Sequence, residues 1–348
     1  MKAFVLAAGI GARLKPLTTD VPKPMIPILG KPALYYTFLN LRKNGFDNVC
    51  VNIYYSHDAV TNYFKNNDEI GIKLNFFREK KLLGTAGAIK NAEDFFDDTF
   101  VVMSGDGLTD IDIKKAVEFH KKKKSVVTIV LKKIDLRLEY GIAVTNKAGE
   151  IKTFVEKPFL GDIFHNVVNT GIYVLEPEIF NFIPRNRFFD FSEDLFPLLM
   201  RQKQKIYGYV MDEYWTDIGN VFEYKKGVFD ILDGKVKFDV GINSRDNKYI
   251  STSAKIDKSV EVYGPCFIDD NVIIGKDTIV EPYSVISSNV KIGSNVSISK
   301  SIIWKNSNIG CNAKITNTLV GYGAMVPGNI ALYNSIMMEY NYRIMALS

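Results

Sequence analysis

The first two thirds of the chain alternate short apolar runs with amphipathic stretches. Runs such as KAFVLAA at residues 2–8 and TFVVMSGD at residues 99–106 are almost continuously apolar, as in strands that are buried on both faces. Stretches between them, such as PALYYTFLNLRKNG at residues 32–45, have the apolar spacing of a helix with one buried face. Alternating strands and crossover helices predict an α/β domain with a mostly parallel sheet.

A period of six residues replaces this pattern after a polar connection at residues 243–248. Every sixth residue from Ala254 to Ile302 is small or apolar, and so are the residues two positions further on, from Ile256 to Trp304. Two inward positions in each hexapeptide predict a β-solenoid, and the pattern resembles the left-handed parallel β-helix of hexapeptide-repeat proteins. The frame is lost after Trp304 and resumes near residue 313, where we expect a bulge or a small loop.

The two periods predict the domain boundaries. We assign residues 1–234 to the α/β domain, residues 235–250 to a linker and residues 251–326 to the β-helix. Residues 327–348 fit neither period. They are interpreted as a cap on the solenoid or as an incomplete or foreign terminus.

Composition and charge narrow the class of protein. The chain has 348 residues, 47% of them hydrophobic, which is enough for a large core. No apolar run approaches the ~18 residues that a membrane span requires, and the three cysteines are not spaced as zinc ligands or as a disulfide framework. The net charge of +5 is mild, and the basic run at residues 121–124 fits an exposed helix end. We therefore expect a cytoplasmic protein that binds neither membranes nor nucleic acid.

A basic, glycine-containing loop follows the first strand. The loop GIGARLKPLTTDVPKP covers residues 9–24, and its backbone N–H groups are suited to an anion such as phosphate. It is neither a dinucleotide fingerprint, which needs glycine where Leu14 stands, nor a P-loop, which needs a GK[ST] sequence. Arg13 could bind phosphate with two parallel hydrogen bonds, and Lys23 could supply a fixed positive charge. The alternative is that both are ordinary surface residues.

A linked set of motifs resembles the sugar-1-phosphate nucleotidyltransferases. The first is G-x-G-x-R-L-x-P-L-T, followed by P-K-P-M and G-K-P; Ala12 stands where the family more often has Thr or Ser. The others are LGTAGA (83–88), SGDGLTDID (104–112), EYG (139–141), FVEKP (154–158), VNTGIYVLEPE (167–178, read from Val167) and YWTDIG (214–219). The resemblance implies a Rossmann-like nucleotidyltransferase domain, and a C-terminal hexapeptide β-helix is also common in the family.

The reaction of that family explains the charges. The phosphate oxygen of a sugar 1-phosphate attacks the α-phosphorus of a nucleoside triphosphate in line, and pyrophosphate leaves, so positioning and charge neutralisation dominate. Asp106 follows an apolar strand, where ligands bind in open α/β sheets. The resemblance implies that Asp106 and Asp217 bind Mg²⁺, although each aspartate alone could be a turn or helix-cap residue.

The resemblance also implies roles for the remaining site residues. Arg13, Lys23, Asp106 and Asp217 are the expected catalytic residues. Residues expected to bind the nucleotide are Leu6, Ala8, Gly9, Gly11, Arg13, Gly84, Thr85 and Gly87. Residues expected to bind the sugar phosphate are Gly141, Glu156, Lys157, Asn169 and Thr170. Taken singly, the EKP and NTG sequences could equally be an exposed strand end and a structural turn.

The base and sugar are predicted from finer resemblance. Relatives that use thymidine or uridine triphosphate often have a glutamine in the base-reading segment, and residues 76–92 contain none. The motifs look most like those of mannose-1-phosphate guanylyltransferases, which implies GTP, mannose 1-phosphate and GDP-mannose as a product of nucleotide-sugar biosynthesis. The alternative is glucose 1-phosphate with ATP, UTP or dTTP.

Three other classes of function were weighed. An acyltransferase β-helix would generally need a histidine base, and His57, His120 and His165 all lie in the first domain. A noncatalytic subunit that senses sugar nucleotides would be expected to lack a metal carboxylate or a phosphate-binding cation, and all of these are present. A scaffold role stays open, since the solenoid could mediate homo-oligomerisation.

Overall fold

The computed structural model describes residues 1–54, 57–65, 68–134, 142–146, 148–155, 167–238, 247–338 and 341–346. The chain forms two compact units. The first contains Met1–Gly11, Val21–Met25 and Ala33–Asp217, and the second contains Ala12–Asp20, Ile26–Pro32 and Ile218–Ser348. This division differs from a boundary at residue 234. Two pieces of the N-terminal basic loop, and the residues that follow Asp217, belong to the unit of the β-helix.

The described strands up to residue 217 are β1 (Lys2–Leu6), β2 (Pro27–Ile28), β3 (Lys31–Pro32), β4 (Asn48–Ile53), β5 (Lys73–Arg78), β6 (Phe100–Ser104), β7 (Gly107–Thr109), β8 (Val127–Lys133), β9 (Ile142–Thr145), β10 (Ile151–Val155), β11 (Val167–Leu175), β12 (Ile206–Met211) and β13 (Trp215–Asp217). The helices in this range are α1 (Ala33–Lys43), α2 (His57–Lys65), α3 (Gly84–Lys90), α4 (Ile113–Lys123) and α5 (Phe196–Arg201). The hairpin of β2 and β3 belongs to the second unit.

The first unit is built on a mixed sheet with a parallel centre. Its strand order is β10-β9-β11-β6-β1-β4-β5, and β8 joins β11 to β12. Strands β6, β1, β4 and β5 are parallel, whereas β11 is antiparallel to β6 and β8. Both faces of β1 are buried, because Ala3 and Val5 belong to one hydrophobic cluster and Phe4 to another. The predicted Rossmann-like α/β class is confirmed.

The apolar runs predicted as strands form β1, β4, β5, β6 and β8. The helix expected over GAIKNAEDFF instead begins at Gly84 and ends at Lys90, and residues 93–95 form a short 3-10 turn. No helix in the described part of the chain is long and apolar enough to cross a membrane.

The second unit contains helix α6 (Val221–Leu232) and the remaining strands. These are β14 (Lys248–Ile250), β15 (Lys255–Ile256), β16 (Glu261–Val262), β17 (Cys266–Ile268), β18 (Ile273–Ile274), β19 (Ile279–Val280), β20 (Ser284–Ile286), β21 (Lys291–Ile292), β22 (Ser297–Ser299), β23 (Ile302–Ile303), β24 (Asn308–Ile309), β25 (Lys314–Thr316), β26 (Leu319–Val320), β27 (Met325–Val326), β28 (Ala331–Tyr333), β29 (Ser335–Met338) and β30 (Asn341–Ala346).

Strands β14 to β29 form the predicted left-handed parallel β-helix. Each strand pairs in parallel with the third strand after it, which produces three sheets along the coil. Ile268, Ile286 and Ile298 belong to the core that the three sheets enclose. The asparagines at the turns, such as Asn271 and Asn289, have positive φ angles, a conformation that asparagine tolerates better than most residues.

The coil shortens by one residue, and this corrects the expected frame. Cys266 pairs with Ser284, a spacing of 18 residues, whereas Val285 pairs with Ile302, a spacing of 17. The slip therefore comes before Ile302 and not after Trp304. Ile303 follows Ile286 in the inward row, in place of Trp304. The prediction that Ile302 and Trp304 continue the two inward rows was wrong, because one turn has a residue fewer.

The shortened coil also explains the C-terminal stretch. Strands β28 and β29 pair in parallel with β25 and β26 at the same spacing of 17 residues, and β30 returns antiparallel along β29. The expectation that residues 327–348 leave the solenoid was therefore wrong for β28 and β29. Their period is not a multiple of six, which hid them in the sequence pattern.

We expect Ile303→Ala to lower the free energy of unfolding of the second unit by about 3 kcal/mol, because it leaves a cavity in the core of the coil. Ile303 is fully buried, whereas Ile273, on an outer face, is 41% exposed. The matched control Ile273→Ala should therefore be much less destabilised in urea unfolding followed by circular dichroism. Equal losses in the two variants would contradict the observed register.

Candidate active site

The carboxyl ends of three parallel strands meet at one edge of the sheet. Leu6 at the end of β1 lies opposite Asn52 of β4 and Ser104 of β6. The Gly105 N–H donates to the Leu6 carbonyl at 2.8 Å, so the loop after β6 follows the end of β1 closely. Loops at this edge of an open α/β sheet usually form the ligand-binding site.

Two aspartates and a lysine converge in the first unit. Asp106 follows β6, and Asp217 pairs with Gly107 in the short antiparallel ladder of β13 and β7, which places the two carboxylates side by side. The Lys23 ammonium contacts the Asp106 carboxylate and lies 3.7 Å from Asp217 Oδ1. Three of the four predicted catalytic residues thus meet at one point. The fourth, Arg13, is exposed on the 3-10 turn Ala12–Leu14 of the second unit.

The cluster is largely shielded from solvent. The side chain of Lys23 is 10% exposed, and those of Asp106 and Asp217 are 24% and 21% exposed. Burial acts to raise the pKa of the Asp106 carboxyl, but the charge of Lys23 and hydrogen bonds from Lys23 and Ser104 hold the pKa below its usual value. Asp106 is therefore ionised at neutral pH and can attract a cation.

The donor set suits a magnesium ion that is shared with substrate phosphates. Mg²⁺ is usually held by one or two carboxylates together with phosphate oxygens. Asp106 and Asp217 supply two carboxylates that already face one positive charge, the ammonium of Lys23. Among the residues that the structure describes, no group of three or more histidine, cysteine or acidic side chains converges as a metal-only site.

The glycines of LGTAG allow helix α3 to lie against the segment before α5. Gly84 has a φ angle of +74°, and an added Cβ would lie 2.6 Å from the Phe189 carbonyl oxygen. The Gly87 N–H donates to the same carbonyl at 2.8 Å. The Thr85 hydroxyl donates to Asp190 at 2.8 Å and accepts the Phe191 N–H at 2.9 Å. These contacts fix the N-terminus of α3, so the side chain of Thr85 is already engaged.

A buried polar relay joins the first glycine loop to the loop before α3. Asn52 accepts the Ala7 N–H at 2.8 Å and donates to Glu79 Oε1 at 2.6 Å, and Glu79 Oε2 accepts the Leu83 N–H at 3.2 Å. Burial raises the pKa of the Glu79 carboxyl, against the effect of these two hydrogen bonds. Sequence reasoning missed Asn52 and Glu79. The available signal was a polar residue at the end of each of two apolar runs.

The described part of the sugar site is tied to β13. The Thr170 hydroxyl donates to the Val130 carbonyl at 2.8 Å, and the Thr170 carbonyl accepts the Trp215 indole N–H at 3.1 Å. Asn169 donates to the Tyr173 hydroxyl at 3.0 Å and accepts the Gly171 N–H at 3.0 Å. Thr170 is therefore engaged within the sheet. Three further residues expected here, namely Gly141, Glu156 and Lys157, lie outside the described residues.

The expected nucleotide loop begins at the same edge. Leu6 and Ala8 precede the glycines, and Ala8 is buried, whereas Gly9 is exposed and an added Cβ there would meet no atom within 4 Å. Gly11 has a positive φ angle of 69°. The loop thus combines a buried base with an open tip, as close approach of a phosphate to the backbone requires.

Comparison with protein families matches both parts of the chain. Residues 2–233 match the family described as nucleotidyl transferase. Residues 262–340 match the domain described as the GMPPB C-terminal domain. The first match covers most of the α/β part and the second most of the β-helix.

Individual relatives extend over nearly the whole chain. A UTP–glucose-1-phosphate uridylyltransferase from Synechocystis is 35% identical over 92% of this chain and 87% of its own length. Mannose-1-phosphate guanylyltransferase 1 from Arabidopsis thaliana is 30% identical over 94% of this chain and 87% of its own length. The crystal structure of HddC from Yersinia pseudotuberculosis complexed with GMP-PN is 29% identical, with a TM-score of 0.59; the match covers 66% of this chain and 99% of that chain.

We expect Lys23→Met to reverse the pH dependence that Asp106 contributes to stability. In the wild-type protein the lowered pKa favours folding above the usual Asp pKa, about 4, and this contribution is lost as the pH falls through the lowered value. Without the ammonium, burial should raise the pKa, so the free energy of unfolding should fall as the pH rises from about 4 to 7. The loss at pH 7 should be about 2 kcal/mol.

Urea unfolding at several pH values would measure this effect. Lys115→Met is the matched control, because Lys115 forms an exposed ion pair with Glu213 at 3.3 Å. Its stability should follow the wild-type pH profile. Parallel profiles for the two variants would show that Lys23 does not control the charge of Asp106.

Proposed function

Because the chain belongs to the nucleotidyl transferase family, we propose that it transfers a nucleotidyl group from a nucleoside triphosphate to a sugar 1-phosphate. The products are a nucleoside diphosphate sugar and pyrophosphate. The observation that carries the proposal is the contact of Lys23 with Asp106 and its approach to Asp217, which assembles one cation and two carboxylates at the carboxyl edge of the sheet.

In the proposed reaction an oxygen of the sugar phosphate forms a bond to the α-phosphorus. The bond from the α-phosphorus to the oxygen that bridges the α- and β-phosphates breaks, and the electron pair leaves on pyrophosphate. No covalent enzyme intermediate is needed, so the protein contributes position and charge. Lys23 neutralises charge on the phosphoryl group under attack, and Arg13 binds the triphosphate.

The two aspartates are proposed to hold Mg²⁺. When bound, the ion supplies positive charge against the phosphate oxygens. Asp106 and Asp217 hold it through ionised carboxylates, and the hydrogen bond from Ser104 orients Asp106. In the absence of substrate, Lys23 supplies the positive charge between these carboxylates.

The remaining site residues are proposed to divide between two subsites. The nucleotide lies against the loop from Leu6 to Gly11 and against the N-terminus of α3. The relay through Asn52 and Glu79 supports this arrangement, because it links the backbone of both loops. Lys157 binds the sugar phosphate, and Glu156, Gly141 and Asn169 contact the sugar. Thr170 holds the strand that carries Asn169.

GTP and mannose 1-phosphate are the proposed substrates. The C-terminal match and the guanylyltransferase relatives support this pair, as does the lack of glutamine in residues 76–92. UTP with glucose 1-phosphate is the second candidate, because the Synechocystis relative named for that reaction is 35% identical. Action in the cytoplasm and self-association through the β-helix remain predictions.

We expect pyrophosphate release in the presence of Mg²⁺ when the protein receives GTP and mannose 1-phosphate. The assay should pair each of GTP, UTP, ATP, CTP and dTTP with mannose 1-phosphate and with glucose 1-phosphate. Release only with UTP and glucose 1-phosphate would replace the proposed substrates and keep the reaction. No release with any pair would contradict the proposed function.

Asp106→Asn should lower kcat by at least about a hundredfold, because it removes a negative charge where the metal is expected to bind. Asp112→Asn is the matched control from the same segment, since Asp112 precedes α4 and its side chain is 42% exposed. The control should retain wild-type turnover. Equal kcat values for Asp106→Asn and Asp112→Asn at saturating Mg²⁺ would exclude Asp106 as a metal ligand.

A further inference from the structure

The G-K-P motif at residues 30–32 has no role in the proposed chemistry. Its glycine lies at the turn of the hairpin that β2 and β3 form in the second unit. Leu29 and Gly30 both have positive φ angles, 43° and 78°. A leucine in this conformation is unfavourable unless surrounding contacts hold it. The hairpin therefore needs anchors.

One anchor is a chain of buried hydrogen bonds from the β-helix to the start of the hairpin. The indole N–H of Trp304 donates to the Tyr224 hydroxyl at 2.9 Å, and that hydroxyl donates to the Pro27 carbonyl at 2.6 Å. Both aromatic side chains are fully buried, and their rings pack edge to face with centroids 6.4 Å apart. Burial raises the pKa of Tyr224, so its hydroxyl stays a donor at neutral pH.

The second anchor lies at the turn. An added Cβ at Gly30 would be 2.6 Å from Asp269 Oδ2, so the hairpin lies directly against the residue that follows β17. Burial raises the pKa of Asp269, partly offset by hydrogen bonds from the Asp270 and Ser288 backbone. Both ends of the hairpin are thus held by β-helix residues or by the helix that contacts them.

We propose that Tyr224 and Trp304 are positioning residues for the transfer reaction. Pro27 is four residues after Lys23, and the segments on both sides of Val21–Met25 belong to the second unit. Fixing Pro27 therefore restrains the backbone that carries the Lys23 ammonium. This inference rests on the proposed function of Lys23. It gives the shortened coil a consequence, because the missing residue removes Trp304 from the inward row and leaves it in contact with α6.

The test compares two Tyr to Phe substitutions that involve helix α6 and the β-helix. Tyr224→Phe keeps the ring and removes the hydroxyl that reaches Pro27. Tyr283→Phe is the matched control, because its hydroxyl donates to Asp233 at 2.9 Å, next to α6, and has no printed role in the hairpin anchors. Trp304→Phe is a second variant that removes only the indole N–H donor and part of the ring.

We expect faster amide hydrogen exchange in residues 21–32 of Tyr224→Phe, measured by mass spectrometry, and unchanged exchange there in Tyr283→Phe. With the substrate pair that the wild-type protein uses, kcat should fall about tenfold in Tyr224→Phe, while the KM for the sugar 1-phosphate stays within about twofold. Trp304→Phe should change both in the same direction by less.

The outcomes separate the two proposals. Unchanged exchange in residues 21–32 of Tyr224→Phe and Trp304→Phe would overturn the anchoring role, whatever the activity. Faster exchange with wild-type kcat would overturn the positioning role. If the wild-type protein releases no pyrophosphate with any substrate pair, the proposed function fails, while the exchange measurement still decides whether Tyr224 anchors the hairpin.

Discussion

The arrangement at the sheet edge depends on the compensation of buried charge. Two carboxylates this close, and only about a fifth to a quarter exposed, repel each other and lose hydration. The ammonium of Lys23 compensates both effects, and this requires the N-terminal loop to bring Lys23 to residues more than eighty positions further along the chain. The same constraint defines what can bind. A cation or an anion that carries its own cations can exchange with the ammonium, whereas a neutral ligand cannot.

The polar contacts around this cluster distribute the task of holding the loops. Ser104 orients Asp106, and the indole of Trp215 holds β13, which ends at Asp217, against the Thr170 carbonyl. On the other side, Asn52 and Glu79 connect backbone donors of two separate loops. Each of these side chains is buried or partly buried and uses its polar atoms on backbone or on another side chain. Such satisfied networks fix a single loop geometry, because any alternative leaves a buried donor unpaired.

The β-helix follows different physics, in which stacking of equivalent strands sets the register. Each coil buries residues such as Ile286 and Ile303 above one another, so a turn with one residue fewer shifts every later position. The shift is tolerated because the parallel ladder continues at the new spacing of 17 residues. It also leaves a large aromatic residue, Trp304, to contact helix α6. A small local change in the coil thus creates a specific contact within the second unit.

The sequence by itself determined the fold class, because strand, helix and coil periods are local and hydrophobic burial enforces them. Its linked motifs also indicated Lys23, Asp106 and Asp217. Only the tertiary structure decided that these three meet, that Thr85 and Thr170 are engaged in local hydrogen bonds, and that Asn52 and Glu79 connect two loops. These features depend on strand order and on contacts between distant segments, which no periodicity encodes. The one-residue slip before Ile302 was missed for a related reason: Ile302, Ile303 and Trp304 are all buried, and only strand pairing distinguishes which one continues the inward row.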